Sequence, residues 1–417
     1  MKRVVSLGLF RSQAFRNLWI GQTVSLFGSH IGSSALRFTA LLLLVAGPQE
    51  LALLSAAALL PMLVLGLPAG VWVDRLRRRP LLIAADLARA LLLFSVPVAY
   101  VLGVLRIEQL YVVAIATGAL TVLFDTAYHS YVPSVVERER LVEANSKLGM
   151  SDSVAEIAGP PLGGVLVQLL TAPFAVLFDA LSFVLSALAI GRIRTHEPQP
   201  PVEQHSSIRR DIAEGLRSVL GDARLRALLG CSMTRNLGGG FFVALYDLYL
   251  VRDLGFSPAL VGLTIGVGGI GALAGAFLAE PLVRRWGMGR VLLGAQIISS
   301  VVGISVPLAH GPLAITVPLL MASQLSDVAY AVYAINETSM RQSIVPERLL
   351  GRVASSFNLL TTAALLLGTV LGGAIGAAWG ARTAFALAVA IGMCGSLWLL
   401  ASPFRRAPAT EELQNAL

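Results

Sequence analysis

Acids that fall inside long apolar runs are the residues of this chain with the most chemistry to account for. Asp125 lies in the run 110–132 on a helical stripe with Thr117, Thr121 and Tyr128 or His129, spaced three or four apart. Asp327 lies in the run 312–335 on a similar stripe with Ser323 and Tyr330. Glu156 stands one turn after Asp152 and one turn before Pro160 and Pro161, in the run 144–170. Ionisable groups in such surroundings are costly and mark ion or substrate paths. A carboxyl held there can exchange a proton near neutral pH, which makes Asp125, Glu156 and Asp327 the proton-coupling candidates. The competing reading is that each is neutralised by a fixed basic partner. Arg37, Arg89 and Arg235, which also fall inside apolar runs, supply three such partners. Asp179 has apolar neighbours and reads as a polar contact between helices. Asp86 and Arg89, three residues apart, read either as a self-paired surface couple or as part of a charge cluster that begins at Asp74.

The elements that position these residues follow from composition. Apolar residues make up 56% of the 417 and charged residues only 13%, with mean hydropathy +0.75. Globular chains carry about 25% charged residues. The chain is therefore expected to be an all-α membrane protein. Runs of about 20 apolar residues each suffice to cross a bilayer. Twelve are found, at 15–46, 51–73, 81–104, 110–132, 144–170, 174–191, 224–250, 259–280, 290–309, 312–335, 353–378 and 382–403. A net charge of +8 would suggest nucleic acid in a soluble chain. Here the basic residues sit between spans, so the expected partners are the lipid bilayer and a small molecule, with no nucleic acid. Only Arg106, Arg252 and Arg382 fall on one face and Arg37, Arg89 and Arg235 inside spans, which leaves 26 of the 32 Lys and Arg on the other face. That asymmetry puts both termini in the cytoplasm. Lys2 and Arg3 precede only a short apolar patch, so the N-terminus reads as retained.

The two halves repeat. Gly159-Pro-Pro-Leu-Gly-Gly164 recurs as Gly368-Thr-Val-Leu-Gly-Gly373, Glu139-Arg-Leu141 as Glu347-Arg-Leu349, and Arg16, Leu18 and Gly28 as Arg226, Leu228 and Gly238. The offsets, 209, 208 and 210, agree to within a residue or two. The expected domains are a six-helix bundle over 1–191, a cytoplasmic linker over 192–222 with a short amphipathic helix, and a second bundle with a short tail over 223–417. Parallel repeats of this kind place a site near the bilayer midplane between the halves.

Gly70-x-x-x-Asp74-Arg75-x-x-Arg78-Arg79 after the second span resembles the loop motif of the major facilitator superfamily. Pro133-Ser-Val-Val-Glu-Arg-Glu-Arg-Leu-Val-Glu-Ala-Asn145, followed by Gly159-Pro-Pro-Leu-Gly-Gly164, is similar to its drug-efflux branch, which holds macrolide-efflux proteins and the enterobactin exporter. The resemblance implies a twelve-helix fold of two pseudo-symmetric bundles with a central cavity lined by spans one, four, seven and ten. It makes Gly70, Asp74, Arg75, Arg78 and Arg79 a conformational latch, with topology alone as the competing reason for the arginines. It makes Gly159, Pro160, Pro161, Gly163 and Gly164 an antiporter-like motif, against a plain packing kink. The substrate-cavity candidates are then Gln22, Ser25, Ser29, Thr121, Tyr128, Arg235, Tyr246, Asp247 and Tyr330. The second-half loop, Arg284-Arg-Trp-Gly-Met-Gly-Arg290, has no acid where Asp74 would map.

No nucleotide-binding Gly-x-x-x-x-Gly-Lys loop is present, and the five histidines, scattered over different segments, lack metal spacing. Enzyme, cofactor and metal are therefore not expected. The function expected is a monomeric transporter of the cytoplasmic membrane, exporting small amphipathic compounds by proton antiport. An importer, facilitator or lysophospholipid flippase on the same fold is the alternative, with a non-transporting sensor behind it.

Overall fold

The computed structural model describes residues 8–66, 68–73, 75–194 and 208–402, and every regular element among them is helical. Asp74 lies outside the described residues, as do Leu67, 195–207 and the two ends of the chain. Twelve long helices are numbered here α1 (Gln13–Phe38), α2 (Pro48–Leu65), α3 (Arg78–Val101), α4 (Ile107–Val135), α5 (Leu141–Leu170), α6 (Ala172–Gly191), α7 (Ala223–Leu248), α8 (Pro258–Trp286), α9 (Met288–Leu308), α10 (Leu313–Ile344), α11 (Leu350–Trp379) and α12 (Ala381–Leu400). The helix of α9 is interrupted at Ile304 and that of α10 at Gln324.

Ten of the twelve are long and apolar enough to cross a membrane. The exceptions, α1 and α7, have 26 residues each, or about 39 Å at the usual rise. Length is not what they lack. Gln22, Ser25, His30 and Arg37 in α1, and Arg224, Arg226, Arg235 and Asn236 in α7, dilute their apolar character. Large apolar side chains point outward from the others, with Phe277 75% and Leu169 74% exposed, as lipid-facing surfaces require.

Helix starts follow local chemistry. Ser12 caps α1 by accepting from Phe15 N (3.4 Å), and Ser257 caps α8 by accepting from Leu260 N (3.3 Å). Asp222 caps α7 through Oδ1, which accepts from Arg224 N (2.7 Å) and Leu225 N (3.2 Å). Partial burial works against ionisation of Asp222. The hydrogen bonds from Arg224 and Leu225 outweigh it and hold the carboxyl below the usual aspartate range.

Contacts divide the chain into two compact units, Met1–Val45 with Leu60–His205, and Ala46–Leu59 with Ser206–Leu417. The division departs from the expected boundary at Ala46–Leu59, the first part of α2, which groups with the second unit. The reason is local packing: Ser55 Oγ donates to Val243 O (3.3 Å), and Gly373 leaves room for Ala52. The linker helix Ile208–Gly221 belongs to the same unit. Glu214 pairs with Arg352, Gly215 lies against the Arg352 carbonyl, and Val219 is fully buried. Leu220, next to it, is 51% exposed.

The duplication recurs in the packing of each unit. In the first, Gly28 of α1 faces Ser182 and Asp179 of α6, and Gly163 of α5 faces Ile31. In the second, Gly238 of α7 faces Ala388 and Gly392 of α12, and Gly372 of α11 faces Phe241. Each glycine sits where a Cβ would press on the neighbouring helix, so small residues set how closely the helices approach.

Candidate functional site: a closed ion pair and an open cavity

In the first unit the functional side chains converge on Arg89 of α3. Its Nη2 donates to Asp86 Oδ1 (2.5 Å) and its Nη1 to Thr121 Oγ1 (3.2 Å) on α4. The guanidinium carbon lies 4.4 Å from the Phe124 ring centroid and 4.0 Å from that of Phe183. Asp86 is fully buried and Arg89 is 3% exposed, so this is an enclosed pair and not a surface couple. Asp125 and Asp179 are also within electrostatic reach of Arg89. Asp179, 5% exposed on α6, accepts from Ser182 Oγ (3.4 Å) and bonds Ser29 of α1. The close approach of α1 that Gly28 and Gly32 permit is what encloses this carboxylate. Three carboxylates thus share one guanidinium, whose Nε, like Asp86 Oδ2, has no hydrogen-bond partner among the described residues.

The second unit is built differently. A cavity of about 360 Å³ opens between α7, α9, α10 and α12. Its wall includes Arg235, Phe242, Tyr246, Gln324, Asp327 and Tyr330, with Ser299, Ser300, Ser323 and Ser326. Arg235 lies over the Tyr330 ring (4.2 Å) and the Tyr333 ring (4.3 Å). Its Nε and Nη1 have no hydrogen-bond partner among the described residues. Gln324 Nε2 donates to Tyr246 OH (2.8 Å) and fixes one corner of the wall. Below it, the buried Glu337 pairs with Arg341 (3.7 Å) and is within reach of Arg235.

The candidates from sequence separate into groups. Arg235, Tyr246, Asp327 and Tyr330 are brought together around the cavity, and Thr121, Tyr128, Ser29 and Asp125 around Arg89. Tyr128 stacks on Phe124 at 6.0 Å, and its hydroxyl has no partner among the described residues. Gln22 and the buried Ser25 lie on α1, and Asp247 lies on α7 outside the cavity wall. Glu156 and its neighbour Asp152 are exposed on α5. The helix runs unbroken through Pro160 and Pro161, and the buried Gly159, Gly163 and Gly164 form its packing side, with Gly159 facing His30.

Between α2 and α3, Gly70 lies in a short helix, Pro68–Val73, where a Cβ would meet nothing within 4 Å. Arg79 donates to Gly191 O (2.6 Å) and Ile190 O (3.3 Å), so it caps the C-terminal carbonyls of α6. Arg75 is exposed and Arg78 half-buried. The residues that sequence reasoning left out of the site are Asp86, Arg89 and Asp179, together with Gln324 and Glu337. Their burial depends on partners from other helices, and only the helical glycines 28 and 32, four residues apart, signalled the place of Asp179.

An all-helical membrane chain of two duplicated units, each with buried charges among its helices, defines a polytopic transporter. The chain belongs to the transmembrane secretion effector family of the major facilitator superfamily, which it matches over residues 4–416. It is similar to the MFS-type transporter YfiS of Bacillus subtilis, with 26% identity over 409 residues, covering 94% of this chain and 92% of that protein. It is also similar to the multidrug efflux pump Tap of Mycolicibacterium fortuitum, with 28% identity over 353 residues, covering 81% and 83%. Among solved structures, the fold is shared with the nucleoside transporter NupG (TM-score 0.79, 10% identity, 93% and 99% covered). A bacterial homologue of the iron transporter ferroportin shares it as well (TM-score 0.70, 21% identity, 93% and 99% covered).

Proposed function

We propose that this protein exports small amphipathic compounds across the cytoplasmic membrane by alternating access, driven by proton antiport, with both termini in the cytoplasm. The observation that carries the reading is the second-unit cavity, whose wall mixes aromatic faces with Arg235, Gln324 and Asp327. A volume near 360 Å³ lies at the low end of the range for small-molecule sites. The relation to a multidrug efflux pump supports the outward direction.

Proton coupling is assigned to the first unit. One guanidinium there answers three carboxylates, Asp86, Asp125 and Asp179, and enclosing unmatched charge is expensive. Asp125 is the exposed one of the three, so it is the member placed to take up and release the proton. Asp327 has the corresponding task at the cavity wall.

The test uses the full chain in proteoliposomes with an imposed pH gradient. Export of an amphipathic fluorescent dye should require the gradient and fall at least tenfold in Asp125→Asn. Gradient-independent movement, or a silent Asp125→Asn, would remove the coupling claim; dye entry in the opposite direction would favour an importer.

A further inference from the structure

We infer that the second-unit cavity selects amphipathic compounds that carry an ionised carboxylate on a flat apolar body, and that Arg235 is the residue that reads the carboxylate. The inference rests on the transport reading of this site and adds the class of ligand.

The helix bounds set the repeat offset at 210 for α3 and α9 and at 209 for α6 and α12, which carries Asp86, Arg89 and Asp179 of the first unit to Gln296, Ser299 and Ala388 of the second. In the first unit these places hold an acid–base network that fills the space between helices. In the second they hold an amide, a hydroxyl and a methyl, none of them ionisable, and Ser299 and Ala388 with Val389 and Gly392 form part of the cavity wall. The second unit has lost the acids of that layer and kept an empty volume, while an arginine stands on α7 instead.

That arginine is prepared for an anion. A guanidinium presents its donors in a rigid planar fork that matches a carboxylate. In the first unit Arg89 spends one arm of the fork on Asp86. In the second, Nε and Nη1 of Arg235 have no acceptor among the described residues, although both are enclosed. A buried donor without an acceptor is costly, and a ligand that supplies the acceptor removes that cost. Glu337 adds long-range attraction but already pairs with Arg341. The Tyr330 and Tyr333 rings hold the guanidinium in place, which limits the entropy lost when a ligand docks.

The rest of the wall fits the remainder of such a ligand. Phe242 and Tyr330 offer flat apolar surface, and the glycines 238, 239, 303 and 392 keep the volume clear. Asp327, itself engaged within the unit, and Gln324 stand on α10 and suit a hydroxyl or amine donor on the same molecule. The chief rival occupant is a cation drawn to Asp327. The probe series is therefore chosen to set the two charges against each other.

The experiment titrates the purified full chain in lipid nanodiscs with three fluorescent probes of one body: dansylglycine, neutral dansylamide, and cationic dansyl-ethylenediamine. Dansylglycine should bind on the order of tenfold more tightly than dansylamide, the usual worth of a charged hydrogen bond. Arg235→Gln should bring dansylglycine down to the dansylamide level, and Arg235→Lys should restore part of the difference. Gly392→Val, which fills the cavity, should weaken all three probes. The wild-type comparison of acid with amide needs no variant, so it stands even if Arg235→Gln folds poorly. Equal binding of acid and amide, or tightest binding of the cation, overturns the proposal whatever transport does. Tight dansylglycine binding without gradient-driven export would leave this ligand class standing and sink the export reading alone.

Discussion

The two units handle a buried arginine in opposite ways. Arg89 is closed in by its own chain: an acid on the same helix, a hydroxyl on the next, and two phenyl rings. Arg235 is held by two tyrosine rings, with two donors unanswered and a cavity at its side. The same backbone plan therefore supports an enclosed ion pair in one copy and an open cavity in the other. The difference lies in a few side chains, chiefly Asp86 and Asp179 against Gln296 and Ala388. Duplication gives two equivalent layers, and only one needs to be filled for the helices to pack.

The largest expected effect separates the two arginines directly. Arg89→Ala should cost about 3–5 kcal/mol, because it leaves Asp86 and Asp179 enclosed without compensation. Arg235→Ala should cost about 1 kcal/mol or less, since Glu337 keeps Arg341 and the cavity already admits solvent-sized space. Unfolding in mixed micelles, titrated with SDS, measures both; equal losses would break the comparison.

Next come the glycine seams. Gly28→Val and Gly238→Val should each lose about 1–3 kcal/mol by overpacking against α6 and α12 respectively, measured in the same titration. A loss confined to one unit would show that the seams are not equivalent.

The turn between the last two helices of each unit sharpens the contrast further. Gly380 (φ 84°) joins α11 to α12, and at the matching place Thr171 (φ 72°) joins α5 to α6. A threonine in that region of backbone space is strained, since it is essentially reserved for glycine. Thr171→Gly should therefore stabilise the protein by about 1 kcal/mol, and Gly380→Thr should destabilise it by at least as much. A melting shift of opposite sign would refute the strain.

The smallest effect concerns the start of the second unit. Asp222→Ala should cost about 1 kcal/mol near neutral pH by removing the α7 cap. Because the folded pKa is depressed, this contribution is present above the ordinary aspartate value and fades as pH falls through the folded one. The difference between wild type and variant should therefore shrink below about pH 4. A pH-independent difference would point to packing and not to the carboxylate.

Much of the fold was legible because apolar run length and basic-residue placement act locally. Every expected span has a helix, although ends differ by up to nine residues, as where α1 stops at Phe38, α2 at Leu65 and α10 runs on to Ile344; only α1 and α7 fall short in apolarity. Three of the polar residues that lower it, Gln22, Ser25 and Arg235, are also candidates for the site. Legibility failed where burial depends on a second helix. Glu156 looked enclosed because its run is apolar, yet its side of α5 is open. Asp86 looked like a surface residue because its partner is nearby in sequence, yet Phe124 and Phe183 come from helices that sequence could not place. Arg79 reads from sequence as part of a loop motif, and its donors also reach carbonyls more than 100 residues away, at the end of α6.

The paired glycine seams have a consequence for how such a protein can change. They hold the backbone of each unit through contacts that tolerate almost no added atoms. The layer between them, at positions 86, 89 and 179 or at 296, 299 and 388, is filled by side chains. Substitution at 299 or 388, both in the cavity wall, can therefore reshape it while the helices keep their register. A lineage can retune what it accepts without first relearning how to fold.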